Sequence, residues 1–105
     1  MNEVSFVGVQ PSDAIRDYAT KKIEALAREP SMRSCRVVLE AHRHAHLGQR
    51  FRAKYEVETL HTRVVVGAHG EPFSDPYAAI DAGYDEAKRA LRDDASRQRD
   101  ERRRA

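Results

Sequence analysis

Apolar and polar positions alternate most regularly between Arg50 and Glu58. Phe51, Ala53, Tyr55 and Val57 share one parity, and Arg50, Arg52, Lys54, Glu56 and Glu58 share the other. A period of two describes a strand with one covered face and one solvated, charged face. Three weaker strand patterns surround it. Val4 to Gly8 is short and β-rich and is stopped by Pro11. Cys35 to His42 is a second strand whose apolar residues do not strictly alternate, as when both faces are partly covered. His61 to Gly67, rich in Val, is a fourth. Between the second and third strands, His44 to Gln49 reads as a loop with Gly48 as its turn residue. Thr59 and Leu60 leave room only for a tight hairpin, although the Asn-Gly or Asp-Gly of the commonest hairpin turns is missing.

Two segments switch to a helical period. Ile15, Tyr18, Ala19, Ile23, Leu26 and Ala27 recur at helical spacing, with Arg16, Asp17, Lys21, Glu24 and Arg28 on the other side. Ser12 is placed to cap this helix, Asp13 favours its dipole, and Pro30 closes it. The expected span is Ser12 to Arg28. The second stripe is Tyr77, Ile80, Tyr84, Ala87 and Leu91, with Ser74 or Asp75 as cap and Pro76 at the first helical position. This helix is expected to end near Ala95. The last ten residues offer no apolar partner to a core and read as a charged, flexible extension.

The order β-α-β-β-β-α, with two striped helices and strands that keep one wet face, predicts an α+β two-layer sandwich. Both helices cover one face of a four-stranded sheet. The domain is expected over residues 1–95 and the extension over 96–105, with no repeat and no second domain.

Composition narrows the function classes. The chain has 105 residues, 34% of them charged, against roughly a quarter in an average domain. Lys and Arg number 19 and Asp and Glu 17, so the net charge is only +2. This allows a nucleic-acid partner without requiring one, because distribution matters more than total. The single cysteine, Cys35, excludes an intrachain disulfide and suits a reducing compartment. Beside an apolar run it reads as a buried small hydrophobe rather than a nucleophile. No segment approaches a membrane span and no leader pattern is present, so a cytoplasmic location without membrane association is expected.

Catalytic motifs are absent: there is no phosphate-binding Gly-rich loop, no GxSxG, no HExxH and no CxxC. An enzyme, a cofactor and a small-molecule substrate are therefore not expected. The acidic residues read mostly as members of solvated helix faces with i,i+4 pairs such as Asp17 with Lys21. His42, His44 and His46 alternate, which in an extended segment puts three imidazoles on one face at metal-ligand spacing. No Cys or carboxylate nearby completes a site, and the plain reading is a polar strand end. Basic residues cluster in two places on the helices: Lys21, Lys22 and Arg28 on the first, and Lys88, Arg89 and Arg92 on the second. Between Arg33 and Phe73, seven basic residues face four acids, with Arg52, Lys54 and Arg63 on the solvated side of the sheet. Such donors suit a phosphate backbone, with ordinary surface charge as the alternative.

Several strings resemble the ribosome hibernation-promoting factor and ribosome-associated inhibitor A family, the sigma-54 modulation proteins, in its short form. Asp13-Ala14-Ile15-Arg16-Asp17-Tyr18-Ala19-Thr20-Lys21-Lys22-Ile23 looks like that family's first helix, and Val37-Val38-Leu39-Glu40 fits its second strand. Asp75-Pro76-Tyr77-Ala78-Ala79-Ile80-Asp81 resembles its most recognisable motif, at the start of the second helix. The resemblance runs from about Val4 to Ala95. It implies a fold like a double-stranded-RNA-binding domain. It also implies binding to rRNA of the small ribosomal subunit, alone or within the 70S ribosome. There a bacterial, cytoplasmic factor would block the mRNA and tRNA channel in stress or stationary phase. The matching contacts are Lys21, Lys22, Arg28, Lys88, Arg89 and Arg92. Tyr77 and Asp81 carry the motif, Tyr77 as a packing anchor and Asp81 as a group that orients a basic neighbour or a helix end.

Two features depart from the pattern. From Asp75 to Ala105, eight basic residues are balanced by eight acidic ones, whereas the family's second helix is usually strongly basic. The histidine segment is also unusual. These leave two alternatives: a regulatory protein-interaction module that keeps the fold with weak rRNA affinity, and a metal-binding stress protein using His42, His44 and His46.

Overall fold

The computed structural model describes residues 2–104. It contains β1 (Glu3–Val7), α1 (Asp13–Leu26), β2 (Met32–His44), β3 (Gly48–Thr59), β4 (Arg63–Val66) and α2 (Pro76–Arg104). The strands form one sheet in the order β1-β2-β3-β4. β1 is parallel to β2, and β2, β3 and β4 are antiparallel neighbours. This is the expected α+β sandwich of two helices and a four-stranded sheet.

Alternation decides which face is covered. Cys35, Val37, Leu39 and Ala41 of β2 and Phe51, Ala53, Tyr55 and Val57 of β3 are buried under the helices. From α1 they meet Ala19, Ile23 and Leu26, and from α2 Ala79, Ile80, Ala87 and Leu91. The opposite parity, including Arg36, Glu40, Lys54 and Glu56, forms the open face. Val38, on that open side, is still only 5% exposed, which accounts for the imperfect alternation of β2.

The caps form where the sequence placed them. Ser12 caps α1, its hydroxyl accepting from the Ile15 N–H at 3.3 Å. Asp75, rather than Ser74, caps α2 by accepting from the Tyr77 N–H at 2.9 Å. The β3–β4 hairpin closes without Asn-Gly because Thr59 supplies the turn chemistry. Its hydroxyl accepts from the N–H groups of His61 and Thr62 and donates to the Thr62 carbonyl, all at 3.0–3.1 Å. Gly48 adopts φ +72° at the β2–β3 turn, a left-handed conformation that favours glycine.

Three expectations are corrected. α2 does not end near Ala95 but stays helical to Arg104. Its last turns are built from Arg, Gln, Glu, Ala and Ser, and most of these are good helix formers that need no core to continue a helix already nucleated. The buried stripe of α2 also differs. Ala79 and Gly83 are buried, while Tyr77 is 37% exposed and Tyr84 half-buried. α2 touches both the sheet and α1, so its buried arc is displaced from the one the aromatics mark. The reason is steric: a Cβ on Gly83 would stand 2.6 Å from Tyr55 Cε1 and 2.8 Å from the Ala53 carbonyl oxygen. The absent side chain lets α2 lie directly on β3. Third, no ion pair joins Asp17 to Lys21 among the described residues.

Candidate nucleic-acid interface

α1 and α2 lie side by side and run in the same direction. Tyr18 meets Tyr77 and Asp81, Lys22 meets Asp81 and Tyr84, and farther along Glu29 meets Arg92. Their outer surface is a ridged platform of two neighbouring helices.

A clasp at its start joins the two helices. The Tyr18 hydroxyl donates to Asp81 Oδ1 at 2.5 Å, and Lys22 Nζ lies 3.3 Å from the same oxygen. Lys22 also sits over the rings of Tyr84 at 4.7 Å and Tyr18 at 5.3 Å. Tyr77 meets Tyr18 edge-on, ring centres 5.0 Å apart. The hydrogen bond to Asp81 and partial burial raise the Tyr18 phenol above its ordinary value, and the neighbouring carboxylate charge adds to this against the opposing effect of Lys22. Asp81 thus orients Lys22, and Tyr77 braces the seam from a partly exposed position.

The other helix cations differ in how free they are. Lys21, Arg28 and Arg89 are exposed, and none makes an ion pair among the described residues. Arg89 turns Nε toward the Asp85 carbonyl of its own helix at 3.4 Å, too long and too exposed to hold it firmly. Lys88 lies 5.8 Å from the Tyr84 ring centre, next to Lys22. Arg92 makes one exposed pair with Glu29 at 3.2 Å, which is easily exchanged for another anion, whereas Glu56 on the sheet gathers three cations at once.

The predicted sheet cations, Arg52, Lys54 and Arg63, are engaged within the fold. Glu56 lies 3.3 Å from Lys54, 3.3 Å from Arg63 and 3.8 Å from Arg36. Lys54 also reaches Glu40, and Arg36 reaches Glu3. Burial on its own would raise the Glu56 carboxyl, but the Lys54 hydrogen bond and the three positive charges outweigh it and hold the group below its ordinary value. Arg52 donates twice to the Gly70 carbonyl, at 2.8 and 3.1 Å, and ties down the loop before α2. Cross-strand neighbours stand about 5 Å apart, so opposite charges on one face meet readily. Arg36, the member of this lattice that sequence reasoning passed over, could have been found from its parity with Lys54 and Glu56.

The histidines remain separate. His42 approaches Glu40 at 3.6 Å, His44 ends β2 and His46 lies in the turn. Among the described residues no three His, Cys, Asp or Glu side chains gather as metal ligands. Cys35 is buried, and burial pushes its thiol up to about 12, so it is no nucleophile near neutral pH. No described helix is long and apolar enough to cross a membrane.

Comparison with known proteins gives this geometry a context. Among solved structures, the Thermus thermophilus Protein Y N-terminal domain matches at 30% identity with a TM-score of 0.65. That match covers 87% of this chain and 96% of the other. A ribosomal subunit interface protein from Coxiella burnetii shares the fold at 16% identity and a TM-score of 0.72, covering 91% of this chain and 99% of that one. No curated protein sequence matches the chain. Residues 3–99 match the model of the family described as sigma 54 modulation protein / S30EA ribosomal protein, and the chain belongs to that family.

Proposed function

We propose that this chain is a ribosome-associated, translation-silencing factor of the cytoplasm. It binds rRNA of the small subunit through the helix platform and acts sterically, occupying the channel that mRNA and tRNA use, without catalysis. The observation that carries the reading is the family match over residues 3–99, with Protein Y and a ribosomal subunit interface protein as structural neighbours. The platform supports it physically. Lys21, Arg28 and Arg89 are available to phosphates, Arg92 is exchangeable, and Lys22 is oriented by Asp81. Phosphate contacts of this kind position a protein on RNA and weaken as salt rises.

Sedimentation with purified 30S and 70S particles tests the proposal. Association is expected at low salt and is expected to fade as salt is raised, by about 0.7–0.9 in log–log slope for each phosphate contact. The quadruple variant Lys21→Glu, Lys22→Glu, Arg89→Glu and Arg92→Glu should abolish it. Undiminished pelleting of that variant, folded by circular dichroism, would refute the helix platform as the contact.

A second reading, a protein-interaction module of the same fold, is favoured by one observation: the eight basic residues from Asp75 onward are matched by eight acids. Failure of the wild-type chain to sediment with ribosomes at low salt, together with specific retention of a protein partner, would select it.

A further inference from the structure

The continuation of α2 past Leu91 creates a groove that lies outside the helix platform. The end of the helix lies over the α1–β2 turn and the β3–β4 turn, enclosing a space of about 180 Å³. Pro30, Leu60 and Ala95 supply an apolar wall, and His61, Arg99 and Arg102 supply a basic rim. We propose that this groove holds one unpaired ribonucleotide of the bound RNA, with its base against Leu60 and its phosphate on the arginines. The inference rests on the RNA-binding reading above and adds a site for single-stranded RNA.

Two observations converge on that occupant. Leu60 is 54% exposed on a turn that is held rigid. Its N–H donates to the Ser31 carbonyl at 3.2 Å, and the preceding Thr59 hydroxyl locks the turn through three hydrogen bonds. An exposed apolar side chain on a turn whose backbone is held in place offers a flat base a surface to lie on. Second, neither Arg99 nor Arg102 makes an ion pair among the described residues, unlike Lys54 and Arg63 of the sheet. A base held in a duplex cannot enter, because only an unstacked nucleotide presents its face.

Titration of the ¹⁵N-labelled full chain with an unstructured RNA pentamer tests the groove by NMR. Amide shifts are expected at Ser31, Leu60, His61 and Gln98. Binding should weaken about tenfold for the exposed-rim variant Arg99→Gln/Arg102→Gln, and a blunt RNA duplex should leave the groove amides unmoved. The proposal is overturned if the pentamer shifts only the Lys21 and Arg89 surface or nothing at all. It is also overturned if an acidic peptide moves the groove amides and RNA does not. The two readings fail separately. Groove shifts in a chain that does not sediment with ribosomes refute the ribosome reading alone, and sedimentation without groove shifts refutes the groove alone.

Discussion

The outer face of the helices and the open face of the sheet carry similar sets of cations with opposite fates. On the sheet, Arg36, Lys54 and Arg63 converge on Glu56, and Arg52 is held by the Gly70 carbonyl. On the helices, Lys21, Arg28 and Arg89 stand free of ion pairs among the described residues. Geometry explains the difference. A sheet places residues of the same parity on adjacent strands within reach of one another, so mixed charges neutralise across the ladder. An outward helix position has mainly its i±3 and i±4 neighbours within reach, and the pair expected as an example, Asp17 with Lys21, does not form among the described residues. A count of basic residues therefore overstates what the sheet can offer a phosphate. The helix face, although nearly charge-balanced in sequence, retains usable donors.

The largest effect on this contrast should come from Gly83, which sets the height of the helix platform above the sheet. In Gly83→Ala the new methyl group would overlap Tyr55, which is fully buried and donates its hydroxyl to the Ile80 carbonyl at 2.8 Å. Overpacking of this kind costs about 1–3 kcal/mol or more, against a helix-propensity gain of about 1 kcal/mol. A net loss of about 1–2 kcal/mol is expected, lowering Tm by about 5–10 °C in a domain of this size. Calorimetry checks it, and an unchanged or raised Tm would mean that α2 does not depend on this close approach.

A smaller effect is expected at the clasp. Tyr18→Phe removes the hydrogen bond to Asp81 and should cost about 1 kcal/mol in chemical denaturation. Asp81→Asn should bring the Tyr18 phenol back toward its ordinary value, seen as earlier tyrosinate absorbance in an alkaline titration. The sign follows from the raised folded value. The stabilisation is complete below the ordinary phenol range and is lost as pH rises through the raised one.

Much of the fold was legible because it rests on periods and caps. The parity of β3, the stripe of α1, Ser12, Pro76 and Gly48 all act locally. What was not legible depends on neighbours in space. Gly83 reads as a weak helix position until Tyr55 is placed beneath it. Thr59 reads only as one end of a tight hairpin until its hydroxyl is seen to close the turn. The tail beyond Ala95 lacks a hydrophobic stripe, yet it continues as helix because propagation needs only the preceding turn. Of the site, the identity of the cations was legible, but their availability was not. Lys54 and Arg63 look as free in sequence as Lys21, and only register shows that they share Glu56.

That shared carboxylate gives the finest test of the comparison. The folded value of Glu56 is depressed, so its contribution to stability is present above the ordinary carboxylate range and is lost as pH falls through the folded value. Glu56→Gln should flatten the acid limb of a stability–pH curve measured by denaturation, by no more than about 1 kcal/mol for so open an ion-pair lattice. The same substitution leaves Arg36, Lys54 and Arg63 without their common partner. If neutralisation is what silences the sheet, Glu56→Gln should gain a small, salt-sensitive RNA affinity on that face, detectable as amide shifts along β3 that the wild-type chain lacks. If β3 is equally silent in both proteins, some other feature of the sheet keeps RNA away, and the contrast between the two faces has a cause other than charge pairing.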